Sequence, residues 1–489
     1  MPDAPIQTLS IVEVQRAVET ELDRIAPVID DLGRVFNDAG HELALVGGPV
    51  RDAMLGRRHN DLDFATSAHP DDTERLLQAW GDATWDMGRD FGTIGCRKGD
   101  WIVEVTTYRS EVYDASSRKP DVDFGDTLAG DLGRRDFTVN AMAVLVPGRA
   151  VVDPFGGVVD LAHRVLRTPG RPEDSFSDDP LRMMRAARFA AQLGFTVDPA
   201  VVAAMTAMAD RIQIISAERV RDELVKLICA PHPRLGLTLL VETGLAERVL
   251  PELPALALER DEHHRHKDVY EHTLTVLEQA IDLESRLGGE PDLVSRFAAL
   301  MHDVGKPRTR KFVEDGTVTF HHHDVVGAKI TRKRMKALKF SNDETDAVSK
   351  LVELHLRFHG YGNGEWTDSA VRRYVRDAGD QLERLHVLTR ADCTTRNQRK
   401  ADRLRRTYDG LEERIALLRE QEELDSIRPD LDGNQIMEIL GIGSGREVGL
   451  AYQHLLELRM DVGPMSAEQA REALLAWWAG QTGEQAPAP

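Results

Sequence analysis

Two aspartates, Asp61 and Asp63, alternate with apolar residues in the segment Asp61-Leu62-Asp63-Phe64. On a strand, residues two apart share a face, so the two carboxylates point together while Leu62 and Phe64 turn toward a core. Carboxylates held side by side repel unless a cation lies between them. Hard oxygen ligands suit Mg2+, which takes one or two carboxylates and shares the rest of its shell with phosphates and water. Two such ions can hold the attacking and leaving oxygens of a phosphoryl displacement. The alternative, a surface strand with two solvated acids, loses ground once the upstream residues are read. Residues 43–46 (LALV) form a short apolar strand that stops at Gly47 and Gly48, where glycine lets the backbone turn and approach a ligand. Residues 49–55 then read as one or two helical turns with Pro49 in the first, and an anion at that start meets free N–H groups.

Other groups could join this chemistry. The segment WIVEVT at 101–106 alternates as a strand, with Trp101, Val103 and Val105 on one face and Glu104 on the other. Glu104 is therefore a candidate third metal carboxylate or an exposed strand glutamate. In DLGRRDFTVNAMAV (131–144), Arg134 and Arg135 could hold a triphosphate. Asp136 and Asn140, four apart and hence expected on one helix face, could meet ribose hydroxyls. In DDPLRMMRAARFAAQL (178–193), Asp179 before Pro180 makes a good helix start, and Asp179 and Arg182 fall three apart on one face. A carboxylate accepts from an amino group and a guanidinium donates to a ring nitrogen or carbonyl. Such a pair would accept C and A, whose pairing edges carry an amino donor beside an acceptor, and reject U and G.

Further along, His272 lies in a helical pattern, His302-Asp303 closes an apolar helix, and Asp392 follows in LTRADCTTRN, with His323 and His355 between them. Imidazole and carboxylate together suit a divalent transition metal or Mg2+.

The stretch from Leu43 to Thr66 resembles the signature of DNA-polymerase-β-like nucleotidyltransferases, in the form found in bacterial tRNA nucleotidyltransferases and poly(A) polymerases. The 131–144 segment and the Asp153-Pro154-Phe155-Gly156-Gly157 turn continue that resemblance in order. It implies catalytic and Mg2+-holding roles for Asp61 and Asp63, with Glu104 beside them. It also implies a nucleotide site of Gly47, Gly48, Arg51, Arg135, Asp136, Asn140, Asp179, Arg182, Arg185 and Arg188, the last two on the phosphates. The 178–193 segment resembles the base-selecting motif of class II CCA-adding enzymes, whose first residue is usually Glu where this chain has Asp178. His272, His302, Asp303 and Asp392 resemble the ligand order of HD phosphohydrolases, and residues 431–449 resemble the C-terminal helical segment of bacterial tRNA nucleotidyltransferases. The activity implied is template-independent addition of CCA to tRNA 3′ ends from CTP and ATP, with HD-type phosphohydrolase turnover left open. Poly(A) polymerase, an A-adding nucleotidyltransferase and a chain that works mainly as a phosphohydrolase are the alternatives. Partners would be tRNA, CTP and ATP, with no DNA and no membrane.

The elements that must position these groups divide along the chain. The expected class is α+β: a small polymerase-β-like α/β head, then an all-α neck, HD body and tail. Residues 1–40 form a helical lead with Val14, Val18, Leu22, Ile25, Val28, Ile29 and Leu32 near a 3.6 period. The head spans 41–168, the neck 169–255, the HD body 256–400 and a tRNA-binding tail 401–489. A Pro-rich connector at 251–254 and the His-rich 263–266 mark a boundary, and the tail GQTGEQAPAP is expected to be disordered. At 489 residues the chain is too long for one core, and 42% hydrophobic with 29% charged residues describes a folded globular protein. Three widely spaced cysteines oppose a disulfide framework or a zinc knuckle. No apolar run spans a bilayer and the N-terminal MPDAPIQTLS lacks signal-peptide character, so a cytoplasmic location is expected. The net charge of −20 opposes non-specific RNA binding, leaving local basic clusters near 332–339, 372–376 and 396–406 either as a footprint or as solvated helix faces.

Overall fold

The computed structural model describes residues 9–58, 60–112, 121–124, 127–258, 269–289, 291–312, 318–360, 367–395, 397–422 and 427–482. The chain divides into two compact units, Met1–Pro251 and Glu252–Pro489. The division falls inside the Pro-rich connector, while the His-rich 263–266 lies outside the described residues.

The first unit opens with α1 (Ile11–Asp38), started by a Ser10/Glu13 capping box. Its buried stripe includes all seven of the apolar positions expected from the sequence period. The sheet is built from β1 (Leu43–Val46), β2 (Asp61–Thr66), β3 (Ala83–Gly88), β4 (Thr93–Lys98), β5 (Trp101–Thr107), then β8 (Ala143–Val146) and β9 (Val151–Val152). Its order is β3-β4-β5-β2-β1-β8-β9, and a separate hairpin pairs β6 (Arg109–Val112) with β7 (Asp121–Phe124). Only β2 and β5 run parallel in that seven-stranded sheet, since α3 (Pro70–Trp80) and the β3–β4 hairpin intervene between them. The connection between β1 and β2 is α2 (Gly48–Met54). Leu62 and Phe64 are 2% and 1% exposed, which fixes the strand's other face, with both aspartates, outward.

The helices that follow are α4 (Leu128–Gly133), α5 (Gly157–His163), α6 (Pro172–Asp178), α7 (Leu181–Leu193), α8 (Pro199–Met208), α9 (Ala217–Ile228), α10 (Pro233–Glu242) and α11 (Ala246–Val249). The buried side of α7 carries Met183, Met184, Ala186, Ala187 and Ala190. Small residues let α9 and α10 approach closely, and the Gly236 position of α10 would place a Cβ 2.4 Å from the Ala187 carbonyl. The strands and helices up to Pro251 form one compact unit.

The second unit is almost wholly helical: α12 (Val269–Asp282), α13 (Leu293–Met301), α14 (Lys306–Thr309), α15 (His323–Ala337), α16 (Asn342–Leu354), α17 (Arg357–Gly360), α18 (Asp368–Ala378) and α19 (Leu382–Ala391). They are followed by α20 (Gln398–Gln421), α21 (Gly433–Leu440), α22 (Arg446–Val462) and α23 (Ala467–Thr482). A short hairpin, Lys311–Phe312 with Val318–Thr319, interrupts the helices. The last three helices close over Leu431, Ile436, Ala451, Leu455, Ala470 and Leu474. Gly441 ends α21 in the left-handed region at φ 64°, so a helix turn accounts for that glycine. Gly480, Gln481 and Thr482, expected to be disordered, extend the last helix; residues 483–489 lie outside the described ones.

Candidate active site and histidine cluster

Parallel pairing sets Asp63 opposite Glu104 and Asp61 opposite Ile102. Glu104 thus shares a sheet face with both aspartates. Crowding by surrounding protein first, and the Glu104 carboxylate next, push Asp63 up to about 6, while Arg135 pulls it down and Asp61 adds to the rise. Three acids on one open face are an all-oxygen donor set that fits Mg2+.

Asp63 opens on a cavity of about 530 Å3. Seven arginines line it (Arg51, Arg134, Arg135, Arg182, Arg185, Arg188 and Arg219) against four aspartates (Asp63, Asp131, Asp136 and Asp179). An arginine excess in a chain of net charge −20 marks a place made for an anion. Gly47 sits at φ 72°, and a Cβ there would lie 2.7 Å from Arg135 Nη1, so glycine is required both for the turn and for the arginine's approach. Gly48 is different: a Cβ would meet only Arg51 Nη2, at 3.8 Å.

The polar groups are pre-ordered by one another. Arg51 donates from Nη1 to Asn140 Oδ1 at 2.7 Å, and Asn140 Nδ2 donates to Asp136 Oδ1 at 2.9 Å. Arg185 Nε donates to Asp136 Oδ2 at 2.7 Å. Burial opposes charge on Asp136, but Arg185, Asn140 and the Phe137 N–H overcome it and hold its carboxyl below the usual range. Arg188 Nε donates to Glu223 at 2.5 Å and its Nη1 to Gln192 at 2.8 Å. Phe189 is surrounded by the guanidinium groups of Arg51, Arg185 and Arg188.

Two expectations need correction. Asp136 and Asn140 do meet, but not on an α-helix face: α4 has ended at Gly133, and Thr138–Asn140 is a single 3-10 turn. Asp179 does not share a helix face with Arg182. It precedes the helix in extended backbone, and its Oδ1 accepts the Leu181 N–H at 3.0 Å. Its Oδ2 accepts from Arg219 Nη2 at 2.9 Å, while Arg182 donates to Ser175 Oγ and to the Arg134 carbonyl. Asp179, Arg182, Arg185 and Arg188 all line the cavity, but the direct partner of Asp179 is Arg219. Arg219, Phe189 and Gln192 were missed. Gln192, four residues after Arg188 on the same helix, was the one with a local signal.

In the second unit, His272, His302, Asp303 and Asp392 come together as expected. His272 Nε2 lies 3.0 Å from Asp392 Oδ1, 3.6 Å from Asp303 Oδ2 and 3.4 Å from His302 Nε2. His302 Nε2 is 3.3 Å from Asp303 Oδ2. His323 and His355, not assigned as ligands from the sequence, adjoin them: His323 Nε2 lies 3.4 Å from Asp303 Oδ1 and 3.3 Å from His355 Nε2. His302, Asp303 and His355 are 1% exposed. Burial pushes His355 down to about 4, whereas Asp303 overcomes burial to raise His302. Asp303 and Asp392 are held well below the usual carboxylate range by the histidines, against their burial. Buried imidazole and carboxylate donors converging in this way fit a divalent metal.

Of the basic clusters, Arg372 is buried, whereas Arg332, Lys333, Lys336, Lys339, Arg399, Lys400, Arg403, Arg405 and Arg406 are exposed. Arg334 pairs with Glu252, Arg332 with Asp346, Arg373 with Asp461, and the buried Arg372 with Glu422.

The family model described as "Poly A polymerase head domain" matches residues 43–167, "Probable RNA and SrmB- binding site of polymerase A" matches 194–256, and "HD domain" matches 269–397. The A-adding tRNA nucleotidyltransferase of Deinococcus radiodurans is 35% identical over 451 residues, covering 90% of this chain and 96% of that protein. The chain belongs to the tRNA nucleotidyltransferase family. Within this family, the CCA-adding enzyme of Levilactobacillus brevis is 44% identical over 226 residues, 46% of this chain and 55% of that protein. The tRNA nucleotidyltransferase fold is also that of the Bacillus stearothermophilus CCA-adding enzyme in complex with CTP, with a TM-score of 0.66 at 24% identity over 94% of this chain and 99% of that one. Among the described residues, no helix is long and apolar enough to cross a membrane.

Proposed function

We propose that this chain adds C, C and A to the 3′ ends of tRNA, drawing on CTP and ATP without a nucleic-acid template. The observation that carries this is the cavity of the first unit, which is lined by Asp63, a member of the strand-face set with Asp61 and Glu104, together with seven arginines and the Asp179 carboxylate. Asp61, Asp63 and Glu104 would hold Mg2+, which when bound neutralises charge on the reacting phosphate. Arg135, Arg134 and Arg185 lie where a triphosphate would be received, with Gly47 admitting Arg135 to the floor of the site. Asp136 and Asn140, held by Arg185 and Arg51, offer oxygen and amide groups for ribose hydroxyls. Asp179 accepts from the amino group of C or A. The tRNA 3′-hydroxyl attacks the α-phosphate, an ester bond forms there, and pyrophosphate leaves.

In the second unit, His272, His302, Asp303 and Asp392 would hold a divalent transition metal, giving an HD centre separate from nucleotide addition. Addition of A alone is the second reading, favoured by the near full-length similarity to the Deinococcus radiodurans enzyme. Purified protein with tRNA lacking CCA, and separately tRNA already ending in CC, is given each labelled nucleotide in turn. CTP incorporation on the first and ATP on the second is expected. ATP incorporation confined to the CC-ending tRNA, with none from CTP, overturns CCA addition in favour of A addition.

A further inference from the structure

We infer that Arg24 of α1 is a positioning residue for the carboxylate-bearing end of β2, a role that rests on the reading of Asp61, Asp63 and Glu104 as the Mg2+ site. α1 ends at Asp38, before the matched head region begins at residue 43. The helix thereby acts on the reaction from outside that region, through strand ends rather than through the substrate.

β2 is held unevenly along its length. It lies between β5 and β1 in the sheet. β1 pairs with it at Phe64, Ala65 and Thr66, and then the chain turns away at Gly47. Among the described strands, Asp61, Leu62 and Asp63 therefore pair with β5 alone, Asp61 opposite Ile102 and Asp63 opposite Glu104. A strand end bonded along one edge opens more readily than one bonded along both. Any slip there moves Asp61 and Asp63 away from Glu104 and spoils the donor set for a shared ion. The rung just ahead of Asp61 is the Ile102 N–H donating to the Asn60 carbonyl at 3.1 Å.

Arg24 grips both sides of that rung. Its Nη1 donates to Asn60 Oδ1 at 3.4 Å, and its guanidinium lies over the Trp101 ring, 5.2 Å from the centroid. Asn60 directly precedes Asp61, and Trp101 directly precedes Ile102. One side chain thus bears on the open end of both strands that carry the acids. The guanidinium is itself preset: Nε and Nη2 donate to the two oxygens of Glu21, at 2.9 and 2.6 Å, and Glu21 is buried one turn earlier on α1. Two turns beyond Arg24 on the same face, Asp31 accepts from Trp80 Nε1 at 2.7 Å and from Lys98 Nζ at 3.2 Å. Lys98 is the cross-strand partner of Trp101 in the β4–β5 hairpin. α1 therefore holds the corner where β5 begins on both of its strands, and reaches β2 only through Arg24.

The test follows incorporation of labelled ATP into tRNA ending in CC, a step common to both readings of the activity, by the full chain across a Mg2+ series. Arg24→Ala is checked for an unchanged circular-dichroism spectrum. It is expected to raise the Mg2+ concentration for half-maximal rate about tenfold, as loss of support behind metal ligands does. It should lower kcat and leave the KM for ATP unchanged, because the arginine wall of the cavity is untouched. Arg149→Ala is the control, since Arg149 ties the same helix to the turn between β8 and β9 through Asp23 at 2.8 Å and Asp30 at 2.6 Å. It is expected to lower the melting temperature and leave the Mg2+ midpoint in place. An unmoved midpoint in Arg24→Ala, with a parent protein that incorporates ATP, would overturn the positioning role alone. No incorporation by the parent protein would overturn the nucleotidyl-transfer reading and this role with it. Equal rises in the two variants would also overturn it, since general loosening of α1 would then be the cause. Should Arg24→Ala fail to fold, Trp101→Leu removes the ring beneath the guanidinium and is expected to raise the midpoint likewise; an unmoved midpoint there overturns the inference.

Discussion

At Asp63 a carboxyl group whose ordinary value is 3.8 is pushed up to about 6, chiefly by burial and next by the Glu104 carboxylate. A carboxylate so strained is relieved by a cation, and removing it removes the cation's anchor. Asp63→Asn is expected to lower nucleotide incorporation by roughly 10³-fold, about 4 kcal/mol in the barrier, with an unchanged melting temperature. Incorporation near the parent rate at saturating Mg2+ would contradict the assignment. Base choice turns on a different pair. Arg219 holds Asp179 Oδ2 at 2.9 Å, and the oxygen keeps a second lone pair for a base amino group. Arg219→Ala removes one of the bonds that orient that carboxylate, leaving the Leu181 N–H on Oδ1, and Asp179→Asn replaces an acceptor with a group that also donates. Both changes are expected to narrow the preference for CTP and ATP over UTP and GTP by about 10²-fold. Because the Arg219–Asp179 pair is half-exposed, stability should change by less than about 1 kcal/mol. Single-nucleotide incorporation with each of the four triphosphates measures the first effect and thermal melting the second.

Among the elements, β1, α2 and β2 were legible because their signals are local: an apolar run, two glycines, a proline in the first turn, and strict alternation through Asp61–Phe64. Glu104 was legible as a candidate from alternation alone, and the parallel register of β2 and β5 supplied its place opposite Asp63. What the sequence withheld depends on chain crossings. Arg219 lies 40 residues from Asp179 in a helix whose pattern reports only an apolar stripe. Three consecutive histidines, His321, His322 and His323, give no sign of which is inside; the fold buries His323 and leaves the other two exposed. The helix expected across Asp136 and Asn140 failed because Asp136 captures the Phe137 N–H, a local bond that competes with helix continuation. The two glycines after β1 separate on the same grounds. Gly47→Ala meets both a positive φ and Arg135, and should cost roughly 1–3 kcal/mol in stability while raising the KM for nucleotide. Gly48→Ala, at the first helical position before Pro49 and in ordinary contact, should cost less than Gly47→Ala, within about 1 kcal/mol of the parent. Denaturant melts and nucleotide KM of the two variants, side by side, check the contrast.

At the scale of the whole molecule, each compact unit carries its own charged site, and among the described residues only the second unit buries histidines. His386, on α19 and 4% exposed, is pushed down to about 4, chiefly by burial; Glu412 opposes this, while Arg286, Arg390 and Arg419 reinforce it. It lies outside the metal cluster, its nearest acid being Glu412 at 3.8 Å, which is itself engaged by Arg286 and Arg390. In the unfolded chain His386 returns to its ordinary value of 6.5. Between pH 6.5 and about 4 the unfolded chain therefore binds a proton that the folded chain refuses, so stability falls as the pH falls through that window and is unaffected above it. From pH 7 to pH 5 this one group should cost about 2 kcal/mol. For a unit of this size that corresponds to roughly 4–8 °C in melting temperature. His386→Leu fills nearly the same volume and removes the titration, leaving Glu412 with its two arginines. The variant is expected to lose less melting temperature than the parent between pH 7 and pH 5, by about that amount, and to add nucleotides normally at pH 7. Equal acid sensitivity in the two proteins would mean that the proton uptake driving acid unfolding lies elsewhere, with His302, Asp303 and Asp392 the next groups to vary.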